Sequence, residues 1–167
     1  MAKNIVLTGF MGTGKSSVGR RLAGRLNRRF LDMDTEIEKR EGKTVSRVFE
    51  EDGEAYFRER ERELVIELAQ SSDLVISTGG GVLMDSRNLD DFQRSGVVIC
   101  LSTDVDTILN RVSRDSKRPL LQCEDPRARI VEMLEARLPV YRMVPIQVDT
   151  TGASHDEVCD RIINTAL

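Results

Sequence analysis

A chain of 167 residues, 40% hydrophobic and 32% charged, has the size and mixture of one globular domain with its own core, which excludes a disordered or low-complexity polypeptide. Its net charge of −3 excludes a general phosphate-tracking surface, so no nucleic-acid partner is expected. No apolar run approaches a membrane span or a signal-peptide core, and Cys100, Cys123 and Cys159 form no C-x-x-C pair; a cytoplasmic protein without membrane partner, disulfide framework or zinc site is expected.

The first predicted element is Asn4-Ile5-Val6-Leu7-Thr8, an apolar run read as a buried strand. It leads into Gly9-Phe10-Met11-Gly12-Thr13-Gly14-Lys15-Ser16-Ser17, which matches G-x-x-x-x-G-K-[ST]. A helix from Ser16 to Leu26 follows. In that context the string is a phosphate-binding P-loop: glycines let backbone N–H groups close on phosphate oxygens, and the helix start adds free donors and the positive end of its dipole. Gly12, Thr13, Gly14, Lys15, Ser16 and Ser17 are the expected nucleotide contacts. Lys15 can reach the β- and γ-phosphates and Ser16 can ligate magnesium, so ATP and Mg2+ are the expected cofactors.

Arg28 to Asp34 reads as a short second strand with Asp32 and Asp34 at its carboxyl end, the edge where open α/β sheets bind ligands. Asp32 then belongs to the magnesium shell and Asp34 to the acceptor. The competing reading makes Asp34 or Thr35 the N-cap of the next helix. Residues 35 to 70 read as an inserted helical region: Thr35 to Arg40, ended by Gly42; Thr44 to Glu51; and a longer helix from Glu54 carrying Arg58-Glu59-Arg60-Glu61-Arg62-Glu63. Arg60 and Arg62 are expected on a solvated face.

Asp73 to Thr78 is a third strand, ending in Gly79-Gly80-Gly81, a triplet that permits close approach of a ligand to backbone. A helix from Val82 to Arg94 and a strand from Val97 to Leu101 come next. Thr103 with Asp106 suggests the cap of a helix running through Leu109 and Val112. The polar, basic, proline-interrupted stretch from Ser113 to Gln122 reads as an active-site lid, in which Arg118 can bring positive charge to a transferring phosphoryl group. Pro126 opens a helix that stops near Pro139. Pro145 to Thr150 is a fifth strand, and Ser154-x-x-Glu157 is a capping box for the last helix, with His155 an exposed neighbour of the cap.

The ordered motifs resemble the shikimate kinases, in the nucleoside monophosphate kinase branch of the P-loop fold. The likeness spans nearly the whole chain: the P-loop, Asp32-Met33-Asp34, Gly53-Glu54-Ala55-Tyr56-Phe57-Arg58 with Glu61, Gly79-Gly80-Gly81, Arg118-Pro119-Leu120-Leu121, and Ala136-Arg137-Leu138-Pro139-Val140-Tyr141. It implies one α/β domain over 1–167, a three-layer P-loop kinase fold. The expected five-stranded parallel sheet has order 2-3-1-4-5, with a substrate-binding insertion at about 34–62 and a lid at about 113–125. It implies ATP-dependent phosphorylation of the 3-hydroxyl of shikimate by a monomer.

Asp34, Arg58, Gly79, Gly80, Gly81 and Arg137 would line the shikimate site. Lys15, Asp34 and Arg118 would be catalytic, and Arg111 would pack against adenine opposite the loop after Thr150. Because the third strand ends Ser77-Thr78-Gly79 without the usual aspartate, a departure the family shares, Asp32 is left as the acidic magnesium partner beside Ser16. Two rivals stand beside this reading. One is a kinase for another small molecule such as gluconate; the other is a slow nucleotide switch, which calls for a base-reading [NT]-K-x-D segment that the chain lacks.

Overall fold

A computed structural model describes residues 3–114 and 123–166. Five strands, β1 (Asn4–Gly9), β2 (Arg29–Asp32), β3 (Leu74–Ser77), β4 (Gly96–Ser102) and β5 (Ile146–Asp149), form one sheet in the order β2-β3-β1-β4-β5. All its pairings are parallel, with Ile5 of β1 opposite Val75 on one side and Val97 on the other. Parallel strands need crossover connections, and the sheet is accordingly wrapped by helices on both faces.

Alternation along the central strands sends side chains to two cores. Ile5 and Leu7 of β1, Val75 of β3, and Ile99 and Leu101 of β4 pack with Val18, Leu22, Val158 and Ile162 from α1 (Lys15–Leu26) and α8 (His155–Ala166). Val6, Ile76, Val98 and Cys100 point the other way. There they meet Met33 and Ile37 of α2 (Met33–Glu41), Val48 of α3 (Val45–Glu51), and Phe57 and Leu64 of α4 (Gly53–Ala69). Phe92 of α5 (Ser86–Ser95), Ile108 of α6 (Val105–Val112) and Ile130 of α7 (Pro126–Tyr141) complete that core. Each such buried Ile, Leu or Val stabilises by roughly 1.5–3 kcal/mol. Among the described residues, no helix is long and apolar enough to cross a membrane.

Several boundaries differ from the sequence reading, each for a local reason. Strand β2 stops at Asp32 rather than continuing to Asp34, because Asp32 is itself the N-cap of α2 and accepts from the Thr35 N–H at 3.2 Å. The helix after β4 is capped by Asp104, which accepts from the Thr107 N–H at 2.7 Å, and not by Thr103. The stretch from Val82 divides into a 3-10 turn at Val82–Met84 and α5, where the Asp85 carboxylate accepts from the Arg87 N–H at 3.0 Å.

Helix α7 passes through Pro139 to Tyr141 instead of stopping. Pro139 lies in the exposed last turns, where water can serve the carbonyl that its missing N–H leaves unpaired. Arg62 is not on a solvated face: it reaches Asp91 at 2.7 Å and Asn88 at 2.9 Å on α5. The capping box is present, with Glu157 N–H on the Ser154 hydroxyl at 3.3 Å and Ser154 N–H on the Glu157 carboxylate at 2.7 Å.

Asn4 ties the central strand to its neighbours through its side chain. Fully buried, it donates to the Leu68 and Ser71 carbonyls at 3.1 and 2.9 Å and accepts from the Leu74 N–H at 3.1 Å, joining β1, the end of α4 and the start of β3. Removing the amide leaves the buried Leu74 N–H without its partner, at about 1–3 kcal/mol, and takes one bond each from the Leu68 carbonyl, which the Ser71 N–H also reaches at 3.1 Å, and from the part-buried Ser71 carbonyl. Asn4→Ala is therefore expected to lower the urea unfolding free energy by about 2 kcal/mol; a loss below about 1 kcal/mol would show that the Leu74 N–H finds another partner.

Candidate active site

The parallel register brings the carboxyl ends of β1, β2 and β3 to one edge of the sheet, and the functional side chains collect there. The loop after β1 turns through Gly12 and Gly14, with φ of 74° and 95°, before α1 begins at Lys15. As N-cap of α1, Gly14 has no side chain to offer the first turn, so the positive end of the helix is left to a ligand.

The loop is braced from outside. The buried Thr13 hydroxyl donates to the Phe10 carbonyl at 2.7 Å, the Thr150 hydroxyl donates to the Thr13 carbonyl at 3.1 Å, and Arg111 Nη1 donates to the Gly12 carbonyl at 2.8 Å. Lys15 Nζ curls back over the loop to the carbonyls of Gly9 and Phe10, at 2.9 and 2.8 Å.

Ser16 Oγ lies 2.5 Å from Asp32 Oδ2 and 3.2 Å from the Ser77 hydroxyl. Here a hydroxyl donates to a carboxylate while its oxygen keeps lone pairs for a metal. That donor set suits Mg2+, which is held through one or two protein oxygens plus phosphates. A cavity of about 440 Å3 runs from Arg111, Ser17 and His155 past Lys15 and Ser16 to Asp34 and Gly80, so the two halves of the site share one space.

Three glycines after β3 define the other half. A Cβ on Gly79 would lie 2.9 Å from Asp34 Oδ1 and 3.0 Å from Glu61 Oε1; on Gly80, 3.2 Å from Arg137 Nη1; on Gly81, 2.5 Å from Arg58 Nη2. Each glycine thus gives its missing side-chain volume to a different polar group. Arg58 and Glu61, one turn apart on α4, are paired at 2.8 Å, and Glu54 approaches Arg58 at 3.4 Å.

Burial pushes the Glu61 carboxyl above the usual carboxylate range, and Asp34 adds to the push while Arg58 and Arg137 oppose it. Burial likewise works against the Arg58 charge, but the Glu61 and Glu54 carboxylates outweigh it and keep the guanidinium more firmly protonated than usual. Arg137, on α7, sits over the Phe10 ring at 5.7 Å. One turn on, the Tyr141 hydroxyl donates to the Gly80 carbonyl at 2.5 Å; burial raises its pKa to about 12, so it remains a donor at neutral pH.

Of the residues named from sequence, Lys15, Ser16, Asp32, Asp34, Gly80 and Arg111 line the cavity, and Arg58 and Arg137 press on the glycine triplet beside it. Arg118 and its neighbours Pro119, Leu120 and Leu121 lie outside the described residues. His155 is exposed, as expected, yet it borders the nucleotide end of the cavity. The sequence reading assigned no role to the hydroxyls of Ser77, Tyr141 and Thr150 or to the Phe10 ring. Glu61 carried a motif signal, but its burial at 2% exposure was hidden by the alternating Arg and Glu around it.

The sequence model of the shikimate kinase family matches residues 11–167. The chain belongs to the shikimate kinase family. A shikimate kinase of Pelotomaculum thermopropionicum is 48% identical over 97% of this chain and 94% of its own length. One from Caldanaerobacter subterraneus subsp. tengcongensis is 43% identical over 99% and 96%. Among solved structures, the shikimate kinase from Acinetobacter baumannii in complex with shikimate superposes with a TM-score of 0.93 at 39% identity, covering 98% of this chain and 92% of that one.

The fold is that of the P-loop kinases, and the protein is a shikimate kinase enzyme that uses ATP as a substrate. The gluconate-kinase and nucleotide-switch alternatives are set aside.

Close packing at Gly81 yields a test that separates function from folding. Gly81 has φ −102°, so alanine brings no backbone strain, and the three atoms nearest its methyl would all belong to the Arg58 guanidinium. Gly81→Ala is expected to leave the unfolding midpoint nearly unchanged but to weaken shikimate binding at least about tenfold, roughly 1.4 kcal/mol, with ADP binding unaltered. Equal shikimate affinity by titration calorimetry would show that the Arg58 position is immaterial to the acceptor.

Proposed function

We propose that the shikimate kinase reaction is divided among the named residues of this chain, with Arg58 and Arg137 reading the acid group of shikimate and Asp34 its reacting hydroxyl. The observation that carries this assignment is the convergence of Asp34, Glu61, Arg58 and Arg137 on Gly79–Gly81, beside the cavity that Asp34 and Gly80 line together with Lys15. Shikimate offers one carboxylate and three hydroxyls. Planar guanidinium groups match a carboxylate at two points, and Glu61 holds one of them, Arg58, in fixed orientation. An ionised Asp34 can accept a hydrogen bond from the 3-hydroxyl, aim its oxygen at the γ-phosphorus and take up its proton as the new O–P bond forms.

Lys15 neutralises charge on the phosphoryl oxygens as it develops, next to α1, whose N-terminal dipole acts in the same direction. Ser16 and Asp32 would hold Mg2+, which when bound screens the phosphate charge. Arg111 and the loop after Thr150 flank adenine. Gly12, Thr13, Gly14 and Ser17 receive the phosphates through backbone and hydroxyl donors. Arg118 is assigned to the phosphoryl group on the family resemblance alone. The 3-phosphate ester of shikimate and ADP leave. We take the protein to be a single-domain cytoplasmic monomer that binds neither nucleic acid nor membrane; its negative net charge supports the absence of a nucleic-acid partner.

A coupled ATP assay with and without shikimate tests the activity: ADP release is expected to depend on the acceptor. Lys15→Met is expected to lower kcat/KM at least about a hundredfold, roughly 2.7 kcal/mol of barrier, without loss of folding. Turnover within about tenfold of the unmodified protein would remove Lys15 from the chemistry.

The acid-reading role is checked by titration with shikimate and with its carboxamide. Charge-assisted hydrogen bonds contribute roughly 1.5–3 kcal/mol, so Arg58→Ala and Arg137→Ala should each weaken shikimate at least about tenfold and lose most discrimination against the amide. Lysine should rescue only in part, since an ammonium lacks the planar two-point geometry. If the unmodified protein binds acid and amide alike, the arginines do not read a carboxylate.

A further inference from the structure

Glycines that make room for Arg58, Arg137 and Asp34 have no side chains with which to anchor themselves. The loop from Thr78 to Val82 must therefore be held by its backbone groups; beside the local bonds of Val82 N–H to the Gly79 carbonyl and Met84 N–H to the Gly81 carbonyl, three ties to other strands and helices are found among the described residues. At its start, the Thr78 N–H donates to the Leu7 carbonyl of β1 at 3.0 Å. In its middle, Tyr141 Oη donates to the Gly80 carbonyl at 2.5 Å. At its end, Asn88 Nδ2 donates to the Val82 carbonyl at 2.8 Å.

The third tie continues into α4. Asn88 is 2% exposed, and its Oδ1 accepts from Arg62 Nη1 at 2.9 Å. A carbonyl partner on one side and a guanidinium on the other permit one orientation of the amide, with nitrogen toward Val82 and oxygen toward Arg62. Arg62 is fixed in turn by Asp91, 2.7 Å from its Nη2. It stands four residues after Arg58 on α4, hence on the same side of the helix one turn further along. Along one row of α4, Arg58 touches the loop at Gly81 while Arg62 grips it through Asn88.

We propose that Asn88 and Arg62 are positioning residues for the acceptor. Together they hold the glycine loop against α4, so that Arg58, Arg137 and Asp34 keep the spacing that reads shikimate. The inference rests on the assignment of Arg58 and Arg137 to the carboxylate. A Cβ at Gly81 would already lie 2.5 Å from Arg58, so the loop and the guanidinium are in direct contact, and binding groups must be held within about 0.5 Å to stay productive. Asn88 and Arg62 act on the acceptor half alone. The nucleotide half is braced separately by Thr13, Thr150 and Arg111.

The experiment measures the shikimate, carboxamide and ADP dissociation constants, and the steady-state constants, of Asn88→Ala, Asn88→Asp, Arg62→Gln and Arg62→Gln/Asn88→Ala. Asn88→Ala is expected to raise the shikimate constant at least fivefold, to cut acid-over-amide discrimination by a similar factor and to leave ADP binding within twofold. Asn88→Asp keeps the bond to Arg62 but turns a carboxylate toward the Val82 carbonyl; it should be at least as impaired as alanine despite its matching size. Arg62→Gln should show a loss of about threefold, and the double variant should be no worse than Asn88→Ala, because both act through one link.

Should Asn88→Ala fail to fold, Arg62→Gln, whose change lies at the outer end of the link, carries the test. Unchanged acid-over-amide discrimination in a folded variant would overturn the proposal, and so would equal losses for shikimate and ADP, the signature of general loosening. The unmodified protein is measured first. If it does not discriminate acid from amide, the arginine assignment fails; if it does and the variants match it, only the role of Asn88 and Arg62 fails.

Discussion

The parallel pairing of β1 with both β3 and β4 is the constraint on which the rest of the protein depends. All six residues of β1 are buried, and the strand is hydrogen-bonded on both sides, so neither a slip nor a reversal is open to it without exposing apolar side chains. A parallel arrangement leaves every strand's carboxyl end at the same edge. The P-loop, Asp32 and the glycine triplet come from three strands separated by tens of residues, yet they open into one cavity. Buried Asn4 secures this register by linking β1 to the end of α4 and the start of β3.

The acceptor half is an electrostatic arrangement under partial burial. Two arginines and two acids meet over a backbone that contributes no side chains. Replacing any one would leave an opposite charge in a low-dielectric place, where such imbalance is costly. Glu61 balances and orients Arg58 in the absence of ligand, so under the proposed assignment an incoming carboxylate meets a guanidinium already aimed rather than one that must be ordered first. Desolvation of Glu61 is the cost of that preorganisation, and the Arg58 contact offsets part of it.

The nucleotide half relies instead on backbone donors and a helix terminus. Its side-chain contacts, from Thr13, Thr150 and Arg111, brace the loop from behind. Separate bracing of the two halves lets changes in one leave the other in place. In the motif segment of α4, Arg58 is paired with the buried Glu61; in that of α7, the buried Tyr141, one turn after Arg137, holds the Gly80 carbonyl.

Local signals in the chain determined the strand order's ingredients, the P-loop, the insertion helices and the capping box, because these depend on short-range properties. Apolar runs, glycine at positive φ and cap chemistry act within a few residues, and they were readable in Gly9 to Ser17, Gly42 and Ser154 to Glu157. The ordered motifs also sufficed to mark Asp34, Arg58 and Arg137 by resemblance. Cap choices between adjacent candidates were less legible, since Asp32 and Asp104 won over their neighbours only through the exact backbone turn after each strand.

What tertiary structure alone decided was which charged residues are solvated and which are held. Arg58, Arg60 and Arg62 look alike in the run Arg58 to Glu63. Packing of α4 against the glycine loop and α5 sets Arg58 against Gly81 and gives Arg62 to Asn88, and it buries Glu61. Those fates depend on contacts between segments far apart in the chain, and no periodicity within a segment encodes them.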